Sequence, residues 1–388
     1  MSNRLMQIAV ADTAPPLSAD QCLTRRVLAT HLANQRLFSD TSQKKTPADM
    51  PRTIKPQVIP LDSLRLKSKV KDLCYNCNGS RLFLASREGL TVLDSSTLSP
   101  HVTLSVKCLR VLTHPIKADI FALLVMEGTE NLRPCVKIFS LAATAGLPPI
   151  LKATIWSGVE DAWYSGAWST DGSVIAVVDR GDHLQRVDVS DPKDCELPSS
   201  SVVALQSEVY GLIYTTDALV VQKVDGCIDI LASDFSLRSS EQIHSHIVLA
   251  AAYNRDRGLL ATGGSDHTVH LISCEDDYTC VGTFPGLEGK VSSVSFSFDG
   301  TLLAWGTKDT IFVGTDDAGG SDGAPTEEYY LTVAGTDPCE IYLQIRMPGA
   351  VSHVQFCPDS YTIAYACDLD TIPKGSGTSM SLGLLRLC

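Results

Sequence analysis

The chain has 388 residues, 44% of them hydrophobic and 20% charged, with 27 Gly, 19 Pro and only 6% aromatics; this excludes collagen-like, disordered and disulfide-miniprotein classes and leaves two or three ordinary domains or one large closed β architecture. Its formal net charge of −12 argues against a body built for non-specific phosphate binding. Thirteen cysteines, an odd number spread from Cys22 to Cys388, cannot all pair within the chain and fit a reducing nuclear or cytosolic setting.

No run approaches the ~18 apolar residues that a membrane span needs, and the first thirty residues lack an apolar secretory core, so a soluble, non-exported chain with no membrane partner is expected. Residues 1–65 hold nine basic and five acidic side chains, a balance of +4, which leaves −16 on the remainder. A mildly basic arm thus precedes an acidic body. Pro15, Pro16, Pro47, Pro51 and Pro56 and the lack of any strand pattern predict that much of the arm, residues 1–57, is disordered. Inside it, Ser18-Ala-Asp-Gln21 has the form of a capping box, and Leu23, Val27, Leu28 and Leu32 follow at helical spacing, predicting a short amphipathic helix over 19–38. Arg25, Arg26 and Arg36 flank that apolar stripe. They suit a mitochondrial presequence, but Asp12 and Asp20 weigh against one. A helix that docks on a partner or on the flank of the body is the preferred reading, which makes these seven residues the candidate partner-binding set.

Val58 to Leu66 reads as a strand, and from about residue 66 one phrase recurs: an alternating strand, a polar turn, an apolar run, then a third strand. The copies are Val70 to Leu93, turning at Asn78-Gly79, and Cys108 to Phe139, turning at His114-Pro115. Trp163 to Val187 turns at Asp171-Gly172, and Val209 to Leu231 near Asp217. Ile247 to Leu271 turns at Arg257-Gly258, Val291 to Val313 at Asp299-Gly300, and Val351 to Cys367 at Pro358-Asp359. In the sixth copy Leu302 to Ala304 is the inner run and Ile311-Phe-Val313 the third strand. Seven copies over 323 residues is about 46 each, close to the length of WD-type propeller blades. A lone hairpin unit cannot bury both faces of its inner strand, so the units must stack around an axis until the ring closes. The expected fold is therefore all-β, a single seven-bladed WD-type β-propeller over 58–388 with an N-terminal, partly disordered arm. Residues 58–66 would supply the outermost strand of the last blade, beside Met380 to Leu387. Gly314 to Pro348, crowded with Asp and Glu, reads as an acidic excursion in which Tyr329 to Val333 is an outer strand.

Chemical motifs are sparse. Gly319-Gly320-Ser321-Asp322-Gly323 has the spacing of a nucleophile elbow, but its neighbours have loop composition rather than the strand and helix that the chemistry requires. Cys74-x-x-Cys77 has no second pair to complete a zinc site. His244-x-His246 and His267-x-x-His270 would form a metal cluster within one blade, although turn and strand-edge histidines are the simpler reading. Asn78-Gly79-Ser80 is a glycosylation sequon that reads here as a turn. No phosphate loop, dinucleotide fingerprint or H-E-x-x-H string occurs, so no catalytic residue, cofactor, metal or small-molecule substrate is expected, with an enzyme built in the central funnel as the outside alternative. Asp266 and Asp309, just after inner runs, are expected to hold tight turns by accepting backbone N–H bonds.

The order Asp225-Gly226-Cys227-Ile228-Asp229-Ile230-Leu231, His244, Leu260-Ala-Thr-Gly263-Gly264-Ser265-Asp266, Val294-Ser-Phe296-Ser297-Phe-Asp299-Gly300, Val354-Gln-Phe356-Cys-Pro358 and Ile363-Ala364-Tyr-Ala366-Cys367-Asp368 resembles the WD-repeat third subunit of the THO (TREX) complex. The resemblance spans about residues 160 to 388 and implies a non-enzymatic scaffold in the nucleus. It implies other THO/TREX subunits as partners, a role in mRNP packaging and mRNA export coupled to transcription, and RNA contact that is indirect or auxiliary. A WD-repeat adaptor in another complex, such as splicing or ubiquitin transfer, is the alternative.

Overall fold

The strand turns follow from a few local bonds. At Asp171-Gly172 the chain reverses because Gly172 takes φ 73°, a left-handed backbone open to glycine at no steric cost, and its N–H reaches the Ser169 carbonyl at 2.9 Å. Asp171 Oδ1 accepts the N–H of Ser173 at 3.0 Å and pins the corner. The run that follows, Val174–Asp179, is buried at every position, as is Leu219–Lys223 in the next unit. A strand buried on both faces cannot lie on a solvated sheet and must be sandwiched.

A computed structural model describes residues 58–66, 68–128, 132–158, 160–198, 202–310, 329–368 and 380–387. They form seven sheets, six of four antiparallel strands and one of five. Among them there is no helix, and so none long and apolar enough to cross a membrane. From the innermost strand outward, blade 1 is Val70–Tyr75, Arg81–Ser86, Leu90–Asp94 and Pro100–Leu104. Blade 2 is Cys108–Thr113, Ile120–Glu127, Arg133–Ser140 and Ile150–Trp156, with Cys195–Glu196 added in parallel at its rim. Blade 3 comprises Trp163–Trp168, Val174–Asp179, His183–Asp188 and Val202–Ala204. Blade 4 runs through Val209–Tyr214, Leu219–Lys223, Cys227–Leu231 and Leu237–Gln242. Blade 5 has Val248–Asn254, Leu259–Gly264, Val269–Ser273 and Thr279–Phe284. Blade 6 has Gly289–Phe296, Leu302–Thr310, Tyr329–Gly335 and Ile341–Met347. Blade 7 takes Val351–Phe356, Thr362–Asp368 and Met380–Leu387 from the end of the sequence and Val58–Leu66 from before blade 1.

The core is distributed rather than central. Each of seven apolar clusters straddles two consecutive sheets, the last one joining Leu73, Leu82 and Leu84 of blade 1 to Ala366, Leu382 and Leu384 of blade 7. Seven sheets with seven shared interfaces form a closed ring, which is the all-β propeller the repeat predicts. Close approach between blades is built into the sequence: a Cβ on Gly306 would collide with Val351 and Val354 of the next blade's innermost strand. The ring shuts where Val58–Leu66 pairs antiparallel with Met380–Leu387, Val58 against Leu387 and Leu66 against Met380. Every blade thus packs against a neighbour on each side.

Blade 6 departs from the expected strand order. Its third strand is Tyr329–Gly335, not Ile311 to Val313, and Tyr329 to Val333 is therefore not an outer strand. The outer strand is Ile341–Met347, inside the stretch assigned to the acidic excursion. The excursion shrinks to the connection between the second and third strands, residues 311–328, which lies outside the described residues together with Ile311 to Val313. The arm and its expected helix over 19–38 also lie outside them.

Candidate interaction sites on the propeller

Strands alternate in direction, so the start of every innermost strand and the end of every second strand face the same end of the ring, called here the upper face. There the seven innermost strands surround a channel of about 540 Å³. Lys71, Asp72, Arg110, Ser293 and His353 line it on one side, Ser165, Tyr210 and Ala250 on the other. Several of these polar groups hold neighbouring strands together. Asp72 Oδ2 accepts the Val111 N–H of blade 2 at 2.9 Å, and its Oδ1 lies 3.8 Å from the Arg110 guanidinium. Arg110 Nε in turn donates to the Tyr164 carbonyl of blade 3 at 3.2 Å. Ser293 donates to the Val354 carbonyl at 3.1 Å and accepts its N–H at 3.0 Å, and Ser295 accepts from Phe356 at 2.9 Å.

His353 sits among these groups with Nδ1 3.0 Å from Ser352 Oγ. Burial pushes its ring pKa down to about 4; Asp72 opposes the shift, while Arg110 and Lys308 add to it. Titratable groups thus converge at the upper mouth, as an enzyme in the funnel would require, but the hydrogen bonds that the carboxylate and the serines make are spent on joining blades.

A second cluster lies in blade 5. His244, on the link before the blade, is fully buried. Its Nδ1 is 3.0 Å from Asp266 Oδ1 and its Nε2 2.9 Å from Thr262 Oγ1. Asp266 also accepts the Ser245 N–H at 2.9 Å and the Thr268 hydroxyl at 2.8 Å. His270 completes the group, its ring 4.7 Å from that of His244 and near edge-on to it, with Nε2 3.1 Å from Thr268 Oγ1 and Nδ1 3.1 Å from Thr283 Oγ1. The donor atoms of His244, Asp266 and His270 all lie within 4.8 Å of one another, close enough to share a metal ion. Each already has protein hydrogen-bond partners, so the same atoms serve as a fastening without one.

Of the four histidines picked out by spacing, then, the fold brings two together. His246 faces Ser245 Oγ at 3.0 Å and His267 the Leu287 carbonyl at 3.2 Å. Asp266 takes its backbone N–H from Ser245 of the preceding link, and within its own turn the Thr268 hydroxyl rather than a backbone N–H, a role the sequence did not reveal; in blade 3 the residue that holds the equivalent turn through backbone bonds is Asp179, accepting from Gly181 at 2.8 Å and His183 at 3.0 Å. The side chain of Asp309 lies outside the described residues. Cys74 is a free thiol, 3.7 Å from the Val111 carbonyl, with its pKa pushed up by burial; Cys77, also free, occupies the turn. The serine string at 319–323 and the candidate set Leu23, Arg25, Arg26, Val27, Leu28, Leu32 and Arg36 lie outside the described residues. Spacing could not supply the lining of the central funnel, which the sequence leaves as a possible site without named residues, because that lining comes a few residues at a time from seven distant strands.

The histidines predict an acid response. His270 is pushed down to about 3, by burial first and by His244 next, against the pull of Asp266, and His353 to about 4. Between those values and their ordinary 6.5 the unfolded rings bind protons that the folded rings refuse, so stability rises with pH and falls as pH drops from 6.5 toward 4. Each ring contributes a slope of up to ~1.4 kcal/mol per pH unit. Asp171 and Asp299, held near 2 by their hydrogen bonds, lose their contribution only below that window. Urea unfolding at pH 7, 6 and 5 should show the fall, and His270→Gln should flatten it. An unchanged midpoint across these pH values would contradict it.

Two stretches, residues 237–273 and 278–317, match the family model of the WD domain, G-beta repeat. The first begins on the outer strand of blade 4 and ends on the third strand of blade 5, so the sequence repeat is one strand out of phase with the blade. That offset is why the last blade must borrow a strand from the start. The crystal structure of the Cps50 (Swd1) β-propeller domain from Myceliophteria thermophila is similar in fold, with a TM-score of 0.62 at 13% identity, covering 86% of this chain and 100% of that one. The chain carries WD40 repeats and folds as a seven-bladed β-propeller.

Proposed function

We propose that the protein is a non-enzymatic scaffold subunit of a THO-like nuclear assembly, in which it holds other subunits together during mRNP packaging and mRNA export. The observation that carries the scaffold role is the closed ring, whose polar inner side chains fasten blade to blade and whose rims and outer faces remain for partners. A rigid surface of this kind suits helices and extended segments of other chains at ordinary interface sizes. The THO assignment rests on the resemblance carried by segments between Asp225 and Asp368, which fall on the third strand of blade 4, the second strand of blade 5, the first strand of blade 6 and the first two strands of blade 7. The net charge of −12 agrees with RNA being held mainly by partners.

Affinity purification of the tagged protein from nuclei tests the reading. Co-elution of the large helical THO subunits is expected. Recovery of splicing or ubiquitin-transfer proteins in their place would move the protein to the adaptor alternative, and absence of the THO subunits would overturn the assignment.

A further inference from the structure

We infer that the upper mouth of the channel takes an acidic, extended segment of a partner protein, an inference that names a partner for the scaffold proposed above. The protein as a whole is strongly acidic, with a net charge of −12, yet Lys69, Lys71, Arg110 and Lys308 converge on the mouth against only Asp72 and Asp368. Asp72 is already engaged by Arg110 and by the Val111 N–H. Lys71 reaches only the neutral Cys108 carbonyl, at 3.4 Å. Among the described residues Lys69, Lys71 and Lys308 make no ion pair. Three ammonium groups without carboxylates, on the rim of a concave channel, repel one another and focus a positive potential inward. An incoming anion relieves that repulsion.

The arrangement also limits the size and type of the anion. The cations come from blades 6, 1 and 2 and the link between blades 7 and 1, so one sector of the mouth is basic. The opposite sector is uncharged, with Tyr210 and Gln222 set among Gly166, Gly211, Ala250 and Ala251. A volume of about 540 Å³ is that of a ligand pocket and admits a chain segment, not a folded domain or a duplex. Lysines spaced around a rim meet carboxylates one at a time, as successive Asp or Glu side chains present them. A nucleic acid would have to run on across an acidic body that repels its phosphates.

The test uses the full chain and a labelled dodecapeptide alternating Glu with Gly and Ser, beside its Gln counterpart, followed by fluorescence anisotropy. The Glu peptide should bind at least tenfold more tightly than the Gln peptide, and more weakly as salt is raised. Combined Lys69→Glu and Lys308→Glu substitution should remove the difference, while Lys117→Glu, exposed on the opposite face, should leave it intact; melting curves check that each variant is folded. Equal binding of the two peptides, or indifference to the rim substitutions, overturns the inference, as does tighter binding of oligonucleotide or inorganic triphosphate than of the Glu peptide. Purification of the wild-type protein from nuclei separates the two readings: THO subunits recovered while the Glu peptide fails to bind would sink the acidic-segment inference alone, and peptide binding without THO recovery would sink only the assembly.

Discussion

A chain that begins at residue 67 is expected to unfold at clearly lower denaturant than one that begins at residue 58, and to aggregate on warming. The truncation removes the strand Val58–Leu66, which pairs along its length with Met380–Leu387. It also strips Leu64 and Leu66 from the apolar cluster between blades 7 and 1. Both side chains are only partly buried, so their loss alone costs roughly 2–4 kcal/mol. The larger effect is topological. Met380–Leu387 becomes an unpaired edge, and the ring loses the strand pairing that ties its two ends together, leaving the apolar packing between blades 1 and 7 to hold the seam. A chain beginning at residue 58 keeps every described pairing and should unfold like the full-length protein. Equal midpoints and equal light scattering for the two truncations would show that the ring does not depend on this strand.

The closure illustrates which features could be read in the sequence. Turns such as Asp171-Gly172 and inner runs such as Val174–Val178 are local, and their pattern needs no knowledge of what lies beside them. Counting them fixes the number of blades, and the number of blades demands a closing strand. Blade 6 shows the limit. Ile311 to Val313 is apolar, with β-branched residues at both ends, and follows the second strand directly, so it looks like a third strand. The chain instead uses Tyr329–Gly335, which a short turn can join to Ile341–Met347. Local pattern cannot choose between two apolar runs when the choice depends on which one has an outer partner within reach. The same reason hides the candidate sites. Lys308 and Lys71 lie on strands more than two hundred residues apart in sequence, and only the ring makes them neighbours. His244 and His270 are closer along the chain, but Asp266, which fastens the first of them, looks like an ordinary turn residue.

That fastening gives the second large effect. Asp266→Ala is expected to destabilise the protein by about 3–5 kcal/mol, in the range for breaking a buried, hydrogen-bonded pair from one side. The carboxylate accepts from His244, Ser245 and Thr268, and the side chains of His244 and Asp266 are 0% and 10% exposed. Its removal leaves a fully buried imidazole N–H with only Thr268 beside it, at 3.1 Å, and frees the link that leads the chain from blade 4 into blade 5. Asp266→Asn keeps an acceptor for the Ser245 N–H but gives up the charge, so it should fall between the alanine variant and wild type. Asp171→Ala is the natural contrast. Its carboxylate holds an exposed turn through bonds to Ser169 and Ser173, water can replace it, and the change should stay within about 1 kcal/mol. Hydrogen exchange distinguishes a local from a global loss: in the Asp266→Ala variant the Ser245 amide should lose protection first, before those of blades 1 to 3. If both alanine variants cost the same, the buried network in blade 5 contributes no more than a surface turn, and its fit to the ring is a matter of packing alone.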